Sequence, residues 1–547
     1  MSTELKKIEF NTHPDTYKHI ELSIEGPIAH IRLNVSEDGG LRSGYKLKLN
    51  SYDLSVDIEL NDAVNRLRFE HPEVSVVCIA SAVAGTFCAG ANIFMLGQSS
   101  HSHKVNFCKF TNETRINIEE ATAKSGQYYV AALNGLAAGG GYELAMACAE
   151  IHLIDDRKST VSLPEVPYLG VLPGTGGLTR VVDKRKVRRD IADVFCTVAE
   201  GVKGKRAVEW NLIDYTHPSS VFDEKVAARL GELAGEGNDA KGITLDPVVA
   251  EVDGDTYKYR YVTLAIDVAA RTAKITLAGP QAKDAEIPKD AEQLGSDWYA
   301  LRMWRELREA ILQLRFNYLT VGAVVFHSEG DPNDVIALDE ALHERKDHWF
   351  VREVLLQQAR VLKMIDITAR TFYALIEPGS CFAGTLLEVA LACDRAYMLD
   401  DPDGTNRVGV SIQNDGPMPM YHHLSRLQNR FYGNDEVVQA VVAKRGTLID
   451  AAGANDLGLV TAVLDDIDWD DEVRVAIEER VSLSPDALTG LEANLRFVGP
   501  ESMESRIFAR LSAWQNWIFT RPNAIGERGA LTSYGQTTNP EFDWSRV

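Results

Sequence analysis

Basic residues are the scarcer charge in this chain: 57 lysines and arginines stand against 79 aspartates and glutamates, a formal net charge of −22. A surface of that sign repels polynucleotides and argues against a nucleic-acid partner. An anionic coenzyme must be met by a local basic patch instead. Cysteine is scarce as well. Its seven positions (Cys78, Cys88, Cys108, Cys148, Cys196, Cys381 and Cys393) are odd in number and lie mostly in apolar runs. That is the pattern of reduced, packed thiols, not of a disulfide framework. No Cys-x-x-Cys pair or His/Cys cluster is spaced to hold zinc, so no metal is expected. No uninterrupted apolar run approaches the ~20 residues that cross a bilayer, which argues against a membrane partner. The opening Met-Ser-Thr-Glu-Leu-Lys-Lys-Ile-Glu also lacks the hydrophobic stretch of a secretory signal, and the expected compartment is the cytoplasm.

What remains is a folded enzyme-sized chain. Its 547 residues, 45% of them hydrophobic, suffice for two or three domains with substantial cores. Ile20 to Ile24 and Ile28 to Leu33 alternate apolar and polar residues across a Glu25-Gly26-Pro27 turn, which predicts a hairpin. Leu54 to Phe69 has helical spacing and leads into an apolar strand pattern at 74–80. Alternation of this kind continues, so an α/β fold is expected.

The most informative segment runs from Ala132 to Cys148. An apolar run ends at Asn134-Gly135, and three glycines, Gly139, Gly140 and Gly141, open a helical pattern that carries Glu143 one turn inside. Glycines let backbone approach a ligand closely, and the first N–H groups of a helix have no internal acceptor, so such an entrance suits an oxyanion. By itself the segment equally describes a tight packing turn with a dipole-favoured glutamate.

Two further blocks decide between these readings. Upstream lies Gly85-Thr-Phe-Cys-Ala-Gly90-Ala91-Asn92-Ile93; downstream lies Ser162-Leu-Pro-Glu165, running on to Gly174-Thr-Gly-Gly177-Leu-Thr-Arg180. The three blocks together, in this order, resemble the enoyl-CoA hydratase/isomerase (crotonase) superfamily over about residues 17 to 235. The resemblance implies a spiral of ββα turns and a coenzyme A thioester whose carbonyl sits between the N–H groups of Ala91 and Gly140. It also implies that Glu143 and Glu165 are the paired carboxylates of the hydratases, which activate water and return a proton to carbon. Two carboxylates sharing a partly buried site push their proton affinities apart, as acid/base division of labour requires. No cofactor is implied, coenzyme A being part of the substrate, and a homo-oligomer, expected as a homodimer, is implied as partner.

Two features depart from the hydratase pattern: Asn92 stands where an aspartate is usual, and the Glu143-to-Glu165 interval is two residues longer. Further substrate contacts are expected from Asn92, Gly139 and Gly141. For the coenzyme phosphates the best local candidates are Lys46 and Lys48, in the loop Arg42-Ser-Gly-Tyr-Lys46-Leu-Lys48; an ordinary solvated loop is an equal reading. The denser run Lys184-Arg-Lys-Val-Arg-Arg189 reads as surface charge on a helix.

The second half holds a faint copy of the first. Glu143-Leu-Ala-Met-Ala-Cys148 recurs as Glu388-Val-Ala-Leu-Ala-Cys393, while the glycine triplet becomes Gly384-Thr385-Leu386 and no glutamate falls near Ser411, close to the place of Glu165. A degenerate, non-catalytic repeat is therefore expected, with Glu388 structural. The expected plan is a catalytic domain over 1–235, a linker over 236–257, a degenerate repeat over 258–465 and a helical region and tail over 466–547. The fused pair of repeats resembles a branch of the superfamily that opens the ring of an aromatic acid's coenzyme A thioester with two waters and releases formate. A simple enoyl-CoA hydratase with an appended structural domain, or a non-catalytic acyl-CoA-binding scaffold, would share the first-repeat motifs.

Overall fold

The computed structural model describes residues 7–235 and 238–547. It divides into two compact units: Phe10–Pro247, and Val248–Val547 together with the N-terminal residues up to Glu9. Among the described residues all seven cysteines are free thiols, and no helix is long and apolar enough to cross a membrane.

The strands of the first unit are, in chain order, β1 (Ile20–Glu25), β2 (Ile28–Leu33), β3 (Val76–Ser81), β4 (Gly85–Cys88), β5 (Tyr128–Leu133), β6 (Gly135–Ala138), β7 (Glu150–Asp155), β8 (Val161–Ser162) and β9 (Tyr215–Pro218). The larger sheet has the order β1-β2-β3-β5-β7-β9 and the smaller β4-β6-β8. The alternating segments pair as the antiparallel hairpin β1–β2, turning at Gly26 with φ +60°. From β2 onward the larger sheet is parallel. Its central strands are buried along almost their whole length, which is why they read as continuous apolar runs. Each of β3, β5 and β7 hands the chain directly to a strand of the smaller sheet before the next helix, so the unit winds as a ββα spiral. The turn from β5 to β6 requires Gly135, since a Cβ there would lie 2.0 Å from the backbone of Gly85. One face of the larger sheet is covered by the Phe222–Ala234 helix. Phe222, Val226, Leu230 and Ala234, four residues apart, pack on Val76, Cys78, Val130 and Ala132.

The second unit repeats this plan. Its strands are β10 (Glu251–Asp253), β11 (Thr256–Lys258), β12 (Val262–Asp267), β13 (Thr272–Ala278), β14 (Ala323–Glu329), β15 (Thr371–Ile376), β16 (Arg395–Leu399), β17 (Val408–Gly409), β18 (Leu448–Ile449) and β19 (Ala462–Leu464). The main sheet runs β10-β11-β12-β13-β14-β15-β16-β19. An antiparallel pair, β12–β13, is again followed by parallel strands. The Trp469–Ser482 helix lays Trp469 and Val473 on Val325, Tyr373, Leu375 and Tyr397, as the Phe222–Ala234 helix does on the first sheet.

Several boundaries differ from those the sequence suggested. Positions 1–6, 236 and 237 lie outside the described residues. The rest of the supposed linker is structured. Ile243 N–H donates to Phe69 O (2.9 Å) and Leu245 N–H to Glu70 Oε1 (2.8 Å), holding this stretch on the first unit. Gly242 lies so close that a Cβ would be 1.9 Å from Glu70 O. Residues 251–253 and 256–258 add strands to the second sheet. Composition missed both, because they are held by backbone pairing more than by apolar side chains. Asn317 binds both the N–H and the carbonyl of Ile8, so the start of the described chain belongs with the second unit. The helix at 469–482 belongs to the second repeat, not to a separate region. The end of the chain docks on the same unit, where buried Arg546 pairs with Glu492 at 2.6 Å.

Candidate active site

The glycine triplet is required three times over, each time by a different neighbour. Gly139 is the N-cap of the Gly140–Ala147 helix with φ +52°, and a Cβ on it would lie 2.8 Å from Glu165 Oε1. On Gly140 it would lie 1.9 Å from the Tyr52 hydroxyl, and on Gly141 2.3 Å from Cys88 O. The glycines thus bring the Glu165 carboxylate, a tyrosine and the β4 backbone against one helix entrance. The N–H of Gly140 is the first of the helix and has no intrahelical acceptor.

The second predicted oxyanion donor lies across from it. Tyr52 and Ala91 form an isolated parallel bridge in which Tyr52 N–H donates to Gly90 O (3.0 Å) and Asn92 N–H donates to Tyr52 O (2.8 Å). These bonds use the residues on either side of Ala91, so its own N–H points away from Tyr52. Gly90 has φ +86°, and a Cβ there would come within 2.9 Å of Gly140 N. The loop carrying Ala91 and the helix start carrying Gly140 are therefore in backbone contact, as a two-donor oxyanion hole requires.

Glu143 is buried and fixed. Its Oε1 accepts from Gly177 N–H at 2.7 Å, and its Oε2 accepts from the Thr175 hydroxyl. Gly177 must be glycine, since its Cβ would lie 2.7 Å from Glu143 Oε1. Thr175 is held in turn. Arg180 donates to its carbonyl (3.2 Å) and through the rest of its guanidinium to Glu119 (2.9 Å). The Thr-Gly-Gly turn, which follows Glu165 in the downstream block, thus orients the other glutamate. Thr175, Arg180 and Glu119 are residues that sequence reasoning passed over.

Glu165 begins the short Glu165–Leu169 helix, and its Oε2 is buried with no hydrogen-bond partner among the described residues. Burial, and then the neighbouring charge of Glu143, push its carboxyl up to about 7. One carboxylate is thus clamped by two donors, while the other is poised to carry a proton near neutral pH.

The remaining candidates lie around these two segments. Asn92 is buried and caps the Ile93–Gln98 helix: its Oδ1 accepts from Met95 N–H (2.9 Å), and its amide donates to Lys46 O (2.8 Å) and Ser51 Oγ (3.1 Å). Both amide hydrogens are thus bonded within the protein, which anchors the loop that carries Ala91. Gly141 packs on Cys88. Lys46 is exposed and paired with Asp38 at 3.0 Å, an ion pair that holds its ammonium above the usual range. Lys48 is exposed with no ion-pair partner among the described residues. In the run 184–189, Lys184 binds Glu119 and Ala147 O, and Arg185 binds Asp214. These residues tie a turn down instead of forming a solvated helical face.

The second repeat has the same helix entrance with different neighbours. Gly384 has φ +47°, matching Gly139 at +52°. Thr385, in the place of Gly140, donates its N–H to Asp339 Oδ2 at 2.8 Å. The hydroxyls of Thr385 and Ser411 donate to the same buried carboxylate, and a Cβ on Gly384 would collide with it. Asp339 belongs to the Pro332–Glu344 helix, which follows β14 where the first unit has the Ala91 loop. A side-chain carboxylate of the chain itself thus takes the N–H that corresponds to that of Gly140. Glu388 is buried between Asn414 (2.7 Å) and Arg426 (3.3 Å), a structural role.

The spiral of ββα turns, the paired backbone donors and the two glutamates define a crotonase-type site, and the chain belongs to the enoyl-CoA hydratase/isomerase superfamily. The enoyl-CoA hydratase/isomerase family profile matches residues 46–276. Over 543 residues the chain is 55% identical to a benzoyl-CoA-dihydrodiol lyase from Aromatoleum evansii, covering 99% of this chain and 98% of that one. Among solved structures, an enoyl-CoA hydratase from Geobacillus kaustophilus HTA426 is 32% identical with TM-score 0.35, covering 40% of this chain and 75% of its own. Another from Bacillus anthracis is 24% identical with TM-score 0.34, covering 40% and 76%.

Proposed function

We propose that this protein is a ring-opening lyase that converts 2,3-epoxybenzoyl-CoA and two waters into 3,4-dehydroadipyl-CoA semialdehyde and formate, a step of aerobic benzoate degradation. The observation that carries the reading is the 55% identity to a benzoyl-CoA-dihydrodiol lyase along both chains. The site supports it chemically. The epoxide opens to its oxepin tautomer, whose C2 is conjugated with the thioester. Water adds at C2, and the resulting enolate oxygen is received by the Ala91 and Gly140 N–H groups. Collapse of the hemiacetal breaks the ring C–O bond and leaves a formyl group on the carbon next to the thioester. A second water attacks the formyl carbon, the C–C bond breaks to release formate, and its electron pair passes into the same thioester enolate. Protonation at carbon completes the turnover. After the electrocyclic opening to the oxepin, each step is an addition, an elimination or a proton transfer, so one hole and two carboxylates serve both waters. Glu143, clamped by Thr175 and Gly177, is suited to hold water, and Glu165 to deliver and recover protons.

Exposed apolar residues follow each catalytic segment: Phe94 (72% exposed) after Ala91, and Tyr168 (69%) and Leu172 (65%) after Glu165. They suit an apolar acyl group. The reading also carries a cytoplasmic, homodimeric enzyme that needs no cofactor besides the coenzyme A of its substrate. Incubation of the purified protein with 2,3-epoxybenzoyl-CoA and assay of formate tests it. Stoichiometric formate is expected. Hydration of crotonyl-CoA without formate from the epoxide would instead identify a simple hydratase.

A further inference from the structure

Tyr52 touches both halves of the oxyanion hole. Its backbone forms the bridge that holds Gly90, Ala91 and Asn92, through bonds of 3.0 and 2.8 Å. Its hydroxyl lies against the Cα of Gly140, so close that a Cβ there would be 1.9 Å away. One side chain therefore spans from the loop bearing one donor to the helix start bearing the other. Arg115 locks that side chain in place. Its Nη2 donates both to the Tyr52 hydroxyl (2.9 Å) and to Gly140 O (2.8 Å), and its Nη1 donates to Thr111 O (3.3 Å). The guanidinium is buried, and an arginine keeps its charge in proteins. Buried Asp57 and Glu143 are the acidic side chains that register against it. A cation is thus held out of water directly behind the helix entrance, where charge acts through a low dielectric.

We propose that Tyr52 and Arg115 are positioning residues that form a brace. It sets the separation of the Ala91 and Gly140 donors and adds a fixed positive field where enolate charge develops. The inference rests on the reading that those N–H groups receive a thioester carbonyl. It predicts an effect on polarisation and turnover, not on binding alone. When a conjugated thioester such as benzoyl-CoA binds, polarisation of its carbonyl by the hole shifts its absorption band to the red.

In the full-length protein, Tyr52→Phe removes only the hydroxyl that Arg115 grips, and Arg115→Lys keeps the charge but loses the double contact. Both are expected to bind benzoyl-CoA with nearly wild-type affinity and a smaller red shift. Their kcat is expected to fall roughly tenfold with little change in KM, the signature of an interaction made in the transition state. Tyr142→Phe is the control. It breaks a buried bond to Leu212 O (2.6 Å) from the same helix, so it should lower the melting temperature and leave the red shift unchanged. A wild-type red shift that persists in Tyr52→Phe, with unchanged kcat, overturns the brace. Absence of a red shift in the wild type overturns the thioester-hole reading itself. Should Arg115→Lys fail to fold, Tyr52→Phe still decides the question.

Discussion

At the scale of single residues, the two glutamates are chemically alike and structurally opposite. Glu143 is gripped by a hydroxyl and an N–H, whereas Glu165 keeps a buried oxygen without a donor among the described residues. Desolvation and the Glu143 charge raise its carboxyl from the ordinary 4.5 to about 7. The folded state therefore holds a proton that the unfolded chain has lost across that interval. Stability from this group is greatest at low pH and declines as pH rises through 7. Glu165→Gln, which cannot ionise, should melt higher than wild type above neutrality and lose that advantage near pH 4.5; calorimetry across the range checks this. Its formate release should also lose the inflection near pH 7 from the kcat/KM profile. An inflection retained in the variant would assign it to another group.

At the scale of elements, the site is an assembly of backbone contacts. The loop before the Ile93–Gln98 helix meets the start of the Gly140–Ala147 helix through Gly90, whose left-handed φ and nearest neighbours leave no room for a side chain. Gly90→Ala is expected to push the two donors apart while both sheets stay intact. Formate release should fall by on the order of 10²–10³, the usual cost of one misplaced oxyanion donor, with an unchanged far-ultraviolet dichroism spectrum. The elements themselves were legible in advance. The hairpin, the central strands and the glycine-led helix announce themselves by alternation, apolar runs and turn residues. The Thr175–Gly177 turn was visible in the sequence, but nothing local indicated that it would grip Glu143, 32 residues earlier. The bonds of Asn92 and Lys46 are no more legible in the sequence, for a related reason. A polar residue near a predicted site reads as a ligand contact until its hydrogen bonds are traced, and those of Asn92 end on the protein.

At the scale of the whole molecule, duplication has produced two units of one plan with different fates. In the first, Gly139 caps a helix that opens on two further glycines. In the second, Asp339 fills the equivalent place with a carboxylate bonded to Thr385 and Ser411. One thioester per chain is therefore expected, which titration of the purified protein with benzoyl-CoA measures directly; two equivalents would mean that the second unit retains a site. Local sequence patterns establish the fold class and the family, and they mark the two glutamates, the two candidate donor positions and the second copy of the motif. These are written in local patterns: glycine where backbone must approach, apolar periodicity where faces are buried. Tertiary structure alone decided the unit boundary after Pro247, the grip on Glu143, the brace of Tyr52 and Arg115, and Asp339 as occupant of the second hole. Each of those joins residues far apart in the chain through hydrogen bonds and burial, and only the folded backbone brings such partners within reach.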